Sequence, residues 1–354
     1  MIYRLGSLGD TILALPCFHK IHEAFPGANF IMLANKPIVS KAAPVEAVLG
    51  KGIFFSEVID YPSGTRSFAL LYRLCMQIRK MNIHTLVNIA TVKSTSRLAA
   101  RRDFIFFKLA GIKNIIGFPN EPRDFTLSID PATKEMEWEA QRLVRRLAPL
   151  GEIDLQQEKY WDLKLTEAEL SVAQNILSGM VAGKPVFAIS AGTKMQAKDW
   201  GAENWVQFTQ KLRQQFPTFN LVLIGSADEF EVSQACLDAW GGQGINLCGK
   251  ISPRESAAVM QQAKLFIGHD SGPMHLAAAV GIPLVAIYSA RNYPRMWYPR
   301  GDKSSIIYHK TDCEGCKLEV CTVQKKKCIL SITVEEVMAA AISSINKYQP
   351  ALLN

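Results

Sequence analysis

Short apolar runs alternate along this chain with longer stretches in which apolar residues recur every three or four positions. A short apolar run bounded by turn-forming residues reads as a buried strand, and the longer spacing reads as an amphipathic helix. In the first half the strand candidates are residues 2–5, 29–34, 57–61, 85–90 and 114–118, with helical spacing clearest at 66–80 and 94–110. The second half repeats the rhythm, with runs at 186–190, 221–225, 245–248, 265–268 and 284–288. Strands separated by helices predict parallel sheets covered on both faces, the α/β doubly wound class. The chain opens only a few residues ahead of Gly6, so its first strand is expected to be short.

Residues 120–184 break the rhythm, being rich in charge and carrying helical patterns at 135–147 and 167–177. A closing amphipathic pattern at 334–345 follows Thr333, a residue suited to cap a helix. At 354 residues, two cores of roughly 150 residues each are more economical than one. The expected organisation is therefore two Rossmann-like domains facing each other across a cleft. Residues 1–165 form the first, including a helical linker, and residues 166–332 the second. A terminal helix at 333–354 is expected to lean back toward the first domain.

Composition narrows the setting. No stretch approaches the roughly 18–20 uninterrupted apolar residues of a membrane span. The first apolar run is broken by Asp10 and lacks a small-residue cleavage pattern, so no secretory leader is expected and a cytoplasmic setting is. A formal net charge of +8 predicts anionic partners, either phosphorylated compounds or an acidic membrane surface. Nucleic acid is disfavoured, because there is no helix-turn-helix pattern and no basic run interleaved with aromatics. Cys17, Cys75, Cys236 and Cys248 stand in apolar surroundings and read as small core residues.

Candidate chemistry gathers at the predicted carboxyl ends of strands, where open parallel sheets bind ligands. The most informative stretch is 266–288: a strand, the turn His269-Asp270-Ser271-Gly272, a short helix, a Gly281-Ile282-Pro283 break and a second strand. Unpaired N–H groups and the helix dipole converge at such a turn, and Asp270 beside it suggests a nucleotide diphosphate. His275 reads equally well as a satisfied core histidine. At residues 4–11 two glycines allow close approach of backbone to a ligand, and Asp10 sits at the helix start, where a carboxylate also suits a plain cap. At 190–200, Thr193, Lys194 and Lys198 suit a phosphate, although lysines beside a packed Trp200 also suit a plain surface. Glu229, soon after Gly225, is placed for ribose hydroxyls and is equally ordinary in a first helical turn.

Taken together and in this order, these blocks resemble glycosyltransferase family 9, the heptosyltransferases of lipopolysaccharide core assembly. The resemblance runs through residues 4–16, Lys93-Ser94, 109–118, 191–200, 225–229, 269–279 and the cysteine tail leading into 332–337. It implies the GT-B fold and an inverting transferase that moves heptose from ADP-L-glycero-D-manno-heptose to a lipopolysaccharide inner-core acceptor. It implies Asp10 as the general base, and Thr193, Lys198, Glu229, Asp270, Ser271, Gly272 and His275 around the donor sugar nucleotide. On the acceptor side it implies Gly9, Lys93, Arg97 and Arg101. No cofactor is required by such a mechanism, and no Asp-x-Asp motif calls for a metal on the diphosphate.

A monomer, peripheral at the inner face of the bacterial inner membrane, is the expected setting. There the basic cluster Lys93, Arg97, Arg101, Arg102 and Lys108 meets either acceptor phosphates and Kdo carboxylates or the anionic inner leaflet. The tail places Cys313, Cys316, Cys321 and Cys328 close in sequence; its Cys-x-x-Cys start suits a structural metal, while the later spacings favour reduced thiols or an adventitious disulfide. Other readings share the architecture: a transferase using a UDP-hexosamine, a sugar-nucleotide epimerase, and a non-catalytic lipopolysaccharide-binding relative. The basic face counts against the epimerase, and Asp10 with Lys198 against the non-catalytic relative.

Overall fold

The computed structural model describes residues 1–35, 43–62, 65, 67–91, 96–125, 128–129, 135–181, 183–241 and 243–352. It divides into two compact units, Met1–Asp162 and Leu163–Asn354. In the first, β1 (Ile2–Arg4), β2 (Ile31–Asn35), β3 (Glu57–Tyr61), β4 (Thr85–Asn88) and β5 (Asn114–Ile116) form one sheet in the order β3-β2-β1-β4-β5. In the second, β6 (Val186–Ser190), β7 (Asn220–Leu223), β8 (Gly244–Asn246), β9 (Leu265–His269), β10 (Leu284–Tyr288) and β11 (Ser304–Tyr308) are ordered β11-β10-β9-β6-β7-β8. Every ladder in both sheets is parallel. The expected α/β class with two doubly wound sheets is therefore present, and β1 does form, at three residues.

Burial explains which strands were legible. All five residues of β6, β9 and β10 are buried, and such central strands read as unbroken apolar runs. The strand β11 was not anticipated. It is half-buried throughout, lies at the sheet edge and follows β10 without an intervening helix, so neither its pattern nor the alternation announces it.

Local capping fixes the helices. Ser67 accepts from the Leu70 N–H to open helix Phe68–Lys80, and Ser96 accepts from Ala99 to open helix Arg97–Leu109. Capping boxes Thr166/Glu169 and Thr333/Glu336 open helices Glu167–Ser178 and Val334–Tyr348. The helix expected from residue 135 begins only at Glu139. Upstream, Met136 bridges Ile129 in antiparallel fashion and the Glu137 N–H donates to Ser128 O at 3.0 Å, so that backbone is committed elsewhere.

Residues 333–354 were expected to lean toward the first domain. The structure buries Val334, Val337, Ala341 and Ile345 in the core of the second unit, among Trp200, Trp205, Ile267 and Val285. The apolar stripe of this helix is what that sheet face needs to be covered. Among the described residues no helix is long and apolar enough to cross a membrane.

Candidate functional site

Each sheet reverses its strand order once, between β1 and β4 in the first unit and between β6 and β9 in the second. Ligands bind open parallel sheets outside the carboxyl ends of the strands at such reversals. The chemistry-bearing residues of each unit lie there.

In the first unit the chain leaves β1 through Leu5, Gly6 and Ser7 and enters helix Leu8–Leu13, with Asp10 in its first turn. The Asp10 carboxylate accepts from the Ser7 N–H and from the Ser7 hydroxyl, both at 2.8 Å, so the cap that the sequence allowed is made. Asp10 is buried, and a Cβ on Gly6 would stand 2.8 Å from its own Cβ, which is why a residue without a side chain fits there. Gly9 is buried in the same turn.

Beneath this turn lies a cluster of buried arginines that sequence reading missed. Arg4 Nη1 donates to Ile89 O at 2.5 Å, beside the end of β4. Arg142 meets Glu139 through two bonds of 2.7 Å and donates to Ala90 O at 3.1 Å, while Arg146 donates to Ala90 O at 3.0 Å and Asn88 O at 3.2 Å. Burial lowers the pKa of Arg4, and the Asp10 carboxylate is the leading charge that counters it. Burial likewise lowers Arg146 to about 9. Arg142 and Arg146 tie the β4 exit loop to helix Glu139–Arg146, and Arg4 places positive charge near Asp10. For Arg142 and Arg146 the sequence signal was helical spacing, which looked like a charged linker; Arg4 lay inside a strand candidate.

Arg97 and Arg101 stand exposed on helix Arg97–Leu109. Lys93 lies outside the described residues.

In the second unit, Lys198 and Asp270 come together from opposite sides of the reversal. Lys198 Nζ donates to Asp270 Oδ2 at 2.5 Å and to Asp270 O at 2.9 Å, with both side chains nearly buried. Asp270 directly precedes Ser271, the cap position of helix Gly272–Ala279. The lysine is thus held over a helix N-terminus, a place already suited to anions. The hydroxyls of Ser190, which ends β6, and of Ser271 and Ser289, after β9 and β10, are buried and make no hydrogen bond among the described residues, although buried polar atoms ordinarily find one. Thr193 is half-buried in the loop between Ser190 and Lys198 and accepts weakly from Met195 N–H at 3.4 Å. His275 is buried in the helix, where it satisfies the core reading as readily as a ligand-binding one.

Glu229 closes the other side. Its carboxylate accepts from the Ser226 N–H at 2.8 Å and lies across two strand-end glycines. A Cβ on Gly192 would stand 2.2 Å from Glu229, and one on Gly225 would stand 2.4 Å from its Oε2. Burial raises the Glu229 pKa, with nearby Asp228 adding to it and Lys194 opposing.

Two further residues position this site. His269, fully buried at the end of β9, accepts the Trp200 N–H on Nε2 at 3.1 Å, which leaves Nδ1 to donate to Gly192 O at 3.2 Å. Its pKa is lowered to about 4 by burial, so it is neutral and locks the 192–200 loop to β9. The cysteine tail clasps the same loop from outside. Ala197 N–H donates to Glu319 O at 3.0 Å, Cys321 N–H to Gln196 Oε1 at 2.8 Å, and Lys326 Nζ to Asp199 Oδ2 at 3.0 Å. The eight cysteines carry free thiols, and among the described residues no group of three or more His, Cys, Asp or Glu is placed to hold a metal ion.

Comparison with known proteins agrees with the two-sheet architecture. The sequence profile of glycosyltransferase family 9 (heptosyltransferase) matches residues 104–327. Lipooligosaccharide heptosyltransferase 2 of Haemophilus influenzae is 24% identical over 320 residues, covering 85% of each chain. The crystal structure of a glycosyltransferase family 9 protein from Veillonella parvula superposes with a TM-score of 0.73 at 20% identity, covering 98% of this chain and 97% of that one. Escherichia coli ADP-heptose lps heptosyltransferase II superposes with a TM-score of 0.66 at 18% identity, covering 98% of each. At those identities the structural likeness speaks for the fold.

Proposed function

The chain belongs to glycosyltransferase family 9 and is a glycosyltransferase, and from that premise we propose that it transfers heptose from ADP-L-glycero-D-manno-heptose to the inner core of lipopolysaccharide with inversion at the anomeric carbon. One observation carries the donor half of this reading: a nearly buried lysine held by Asp270 over the N-terminus of helix Gly272–Ala279, at the strand-order reversal of the second sheet. A diphosphate there meets the Lys198 ammonium, the helix dipole and the Ser190, Ser271 and Ser289 hydroxyls. Thr193 adds a hydroxyl from the same loop, and Glu229 accepts from ribose hydroxyls. As the bond to the diphosphate breaks, these donors offset the charge on the leaving group.

In the acceptor half, inversion requires a base on the face opposite the leaving group. Asp10 takes the proton from the acceptor hydroxyl as that oxygen attacks the oxocarbenium-like carbon. The Ser7 bonds fix the carboxylate's rotamer, and the buried Arg4 guanidinium interacts with its charge. Gly9, Lys93, Arg97 and Arg101 belong to acceptor recognition in this reading, which requires no metal or cofactor and works as a monomer. The site of action is the cytoplasmic face of the bacterial inner membrane, where such an acceptor is embedded.

Calorimetric titration with ADP and then with UDP tests the donor. Binding of ADP in the micromolar range with UDP at least tenfold weaker is expected. Preference for UDP would retain the Asp10 chemistry and transfer the donor to a UDP-hexosamine, and binding of neither would favour a non-catalytic lipopolysaccharide-binding role.

A further inference from the structure

Helices Phe68–Lys80 and Arg97–Leu109 cover one face of the first sheet, and Leu74, Ile78 and Phe107 anchor them in its core. A surface helix so anchored ordinarily turns a polar face outward. These two do not. Phe68 is 88% exposed, Tyr72 66%, Leu98 82%, Ile105 50% and Leu109 61%, which places most of the large exposed apolar residues of this unit on this one layer. On helix Arg97–Leu109 the exposed residues Leu98, Ile105 and Leu109 recur at helical spacing opposite buried Ala100 and Phe107. The helix is therefore apolar on both sides.

Charge identifies what this outer face meets. Between the exposed apolar side chains stand Arg73 and Lys80 on one helix and Arg97, Arg101, Arg102 and Lys108 on the other, all exposed. The single acid of the two helices, Asp103, is half-buried and engaged by Arg102 and by the Tyr3 and Tyr61 hydroxyls. Exposed aromatic and aliphatic side chains interleaved with arginine and lysine are what an anionic lipid surface binds: the apolar groups enter the headgroup boundary while the cations meet phosphates. A protein partner with an acidic surface would leave five large apolar side chains unmatched.

We propose that the outward layer of helices Phe68–Lys80 and Arg97–Leu109 is the surface by which this protein rests on an anionic bilayer. The inference builds on the proposed membrane-embedded acceptor and assigns Arg73 and Lys80 to lipid headgroups, leaving Arg97 and Arg101 to the acceptor. It explains why apolar residues are left outside on the first unit, and why much of the chain's positive charge is concentrated there.

The test is sedimentation with vesicles of phosphatidylglycerol and phosphatidylethanolamine that contain no lipopolysaccharide, beside vesicles of phosphatidylcholine alone. Binding to the anionic vesicles, weakened by raising salt, is expected. Arg73→Gln with Lys80→Gln should lower the partition about 30-fold, at about fivefold per cation. Leu98→Asn with Ile105→Asn should lower it at least about tenfold while leaving far-ultraviolet circular dichroism and ADP affinity unchanged. Unchanged ADP affinity separates this inference from the transferase reading, which stands or falls on the titrations above. Failure of the wild type to bind anionic vesicles, equal binding to phosphatidylcholine, or wild-type binding by the Leu98/Ile105 variant would overturn the proposal. So would a concentration-dependent dimer, in the absence of lipid, that the same variant abolishes, because the face would then belong to a second copy of this chain.

Discussion

Replacing Lys198 with Met removes an ammonium while keeping most of its apolar stem, and the structure predicts two separable losses. The ion pair with Asp270 is 2.5 Å long, with side chains 13% and 6% exposed, so it is effectively buried. Removing one partner of such a pair strands the other charge, at a cost of about 3–5 kcal/mol in stability. Replacing Asp270 with Asn as well removes the stranded charge, so the double variant Lys198→Met/Asp270→Asn should regain most of that loss and unfold within about 1–2 kcal/mol of the wild type. Affinity for ADP should not return with it. A charge-assisted bond to a phosphate contributes about 1.5–3 kcal/mol, so single and double variants alike should bind ADP about 10- to 150-fold more weakly. Urea unfolding and calorimetry on the three proteins measure both quantities. A single variant as stable as the wild type would refute the buried pair, and a double variant with wild-type ADP affinity would remove Lys198 from the phosphate site.

Asp10→Asn keeps an oxygen for the Ser7 cap and should fold and bind ADP normally, while transfer falls by about 100-fold or more; lost ADP binding in a folded variant would sink the base assignment. His269 should make stability depend on pH. Its pKa is lowered in the folded state to about 4 from the ordinary 6.5, so the unfolded chain binds the extra proton first and stability falls as pH drops from 6.5 toward 4, by about 3 kcal/mol at most. The slope in that window, read from urea midpoints, should flatten in His269→Asn, and an unchanged slope would exclude the histidine as its source. Gly192→Ala drives a Cβ to 2.2 Å from Glu229 and should cost about 1–3 kcal/mol and weaken ADP binding, whereas in a Glu229→Gly background, which removes the Glu229 Cβ as well, the same substitution should be nearly silent in unfolding.

The sequence by itself determined the alternation of strands and helices, two parallel sheets, and the placement of Asp10, Lys198 and Asp270 at strand ends. These are local properties: apolar runs set the buried strands, Ser and Thr caps set several helix starts, and glycines mark the turns where backbone approaches a ligand. Only the tertiary structure decided which strand ends lie together. Strand order places β6 beside β9, and that adjacency, invisible to periodicity, brings Lys198 onto Asp270 across 72 positions of sequence. The same holds for Arg142 and Arg146, which read as linker charge until they were seen, with Arg4 from β1, donating to the carbonyls of the β4 exit loop. It holds for β11, whose edge position leaves no apolar alternation to read, and for the 334–348 helix, whose stripe could cover either sheet until packing assigned it to the second. A sequence specifies which faces must be buried. Which partner buries each face is a property of the folded chain, because burial is non-directional and only the assembled sheet order supplies direction.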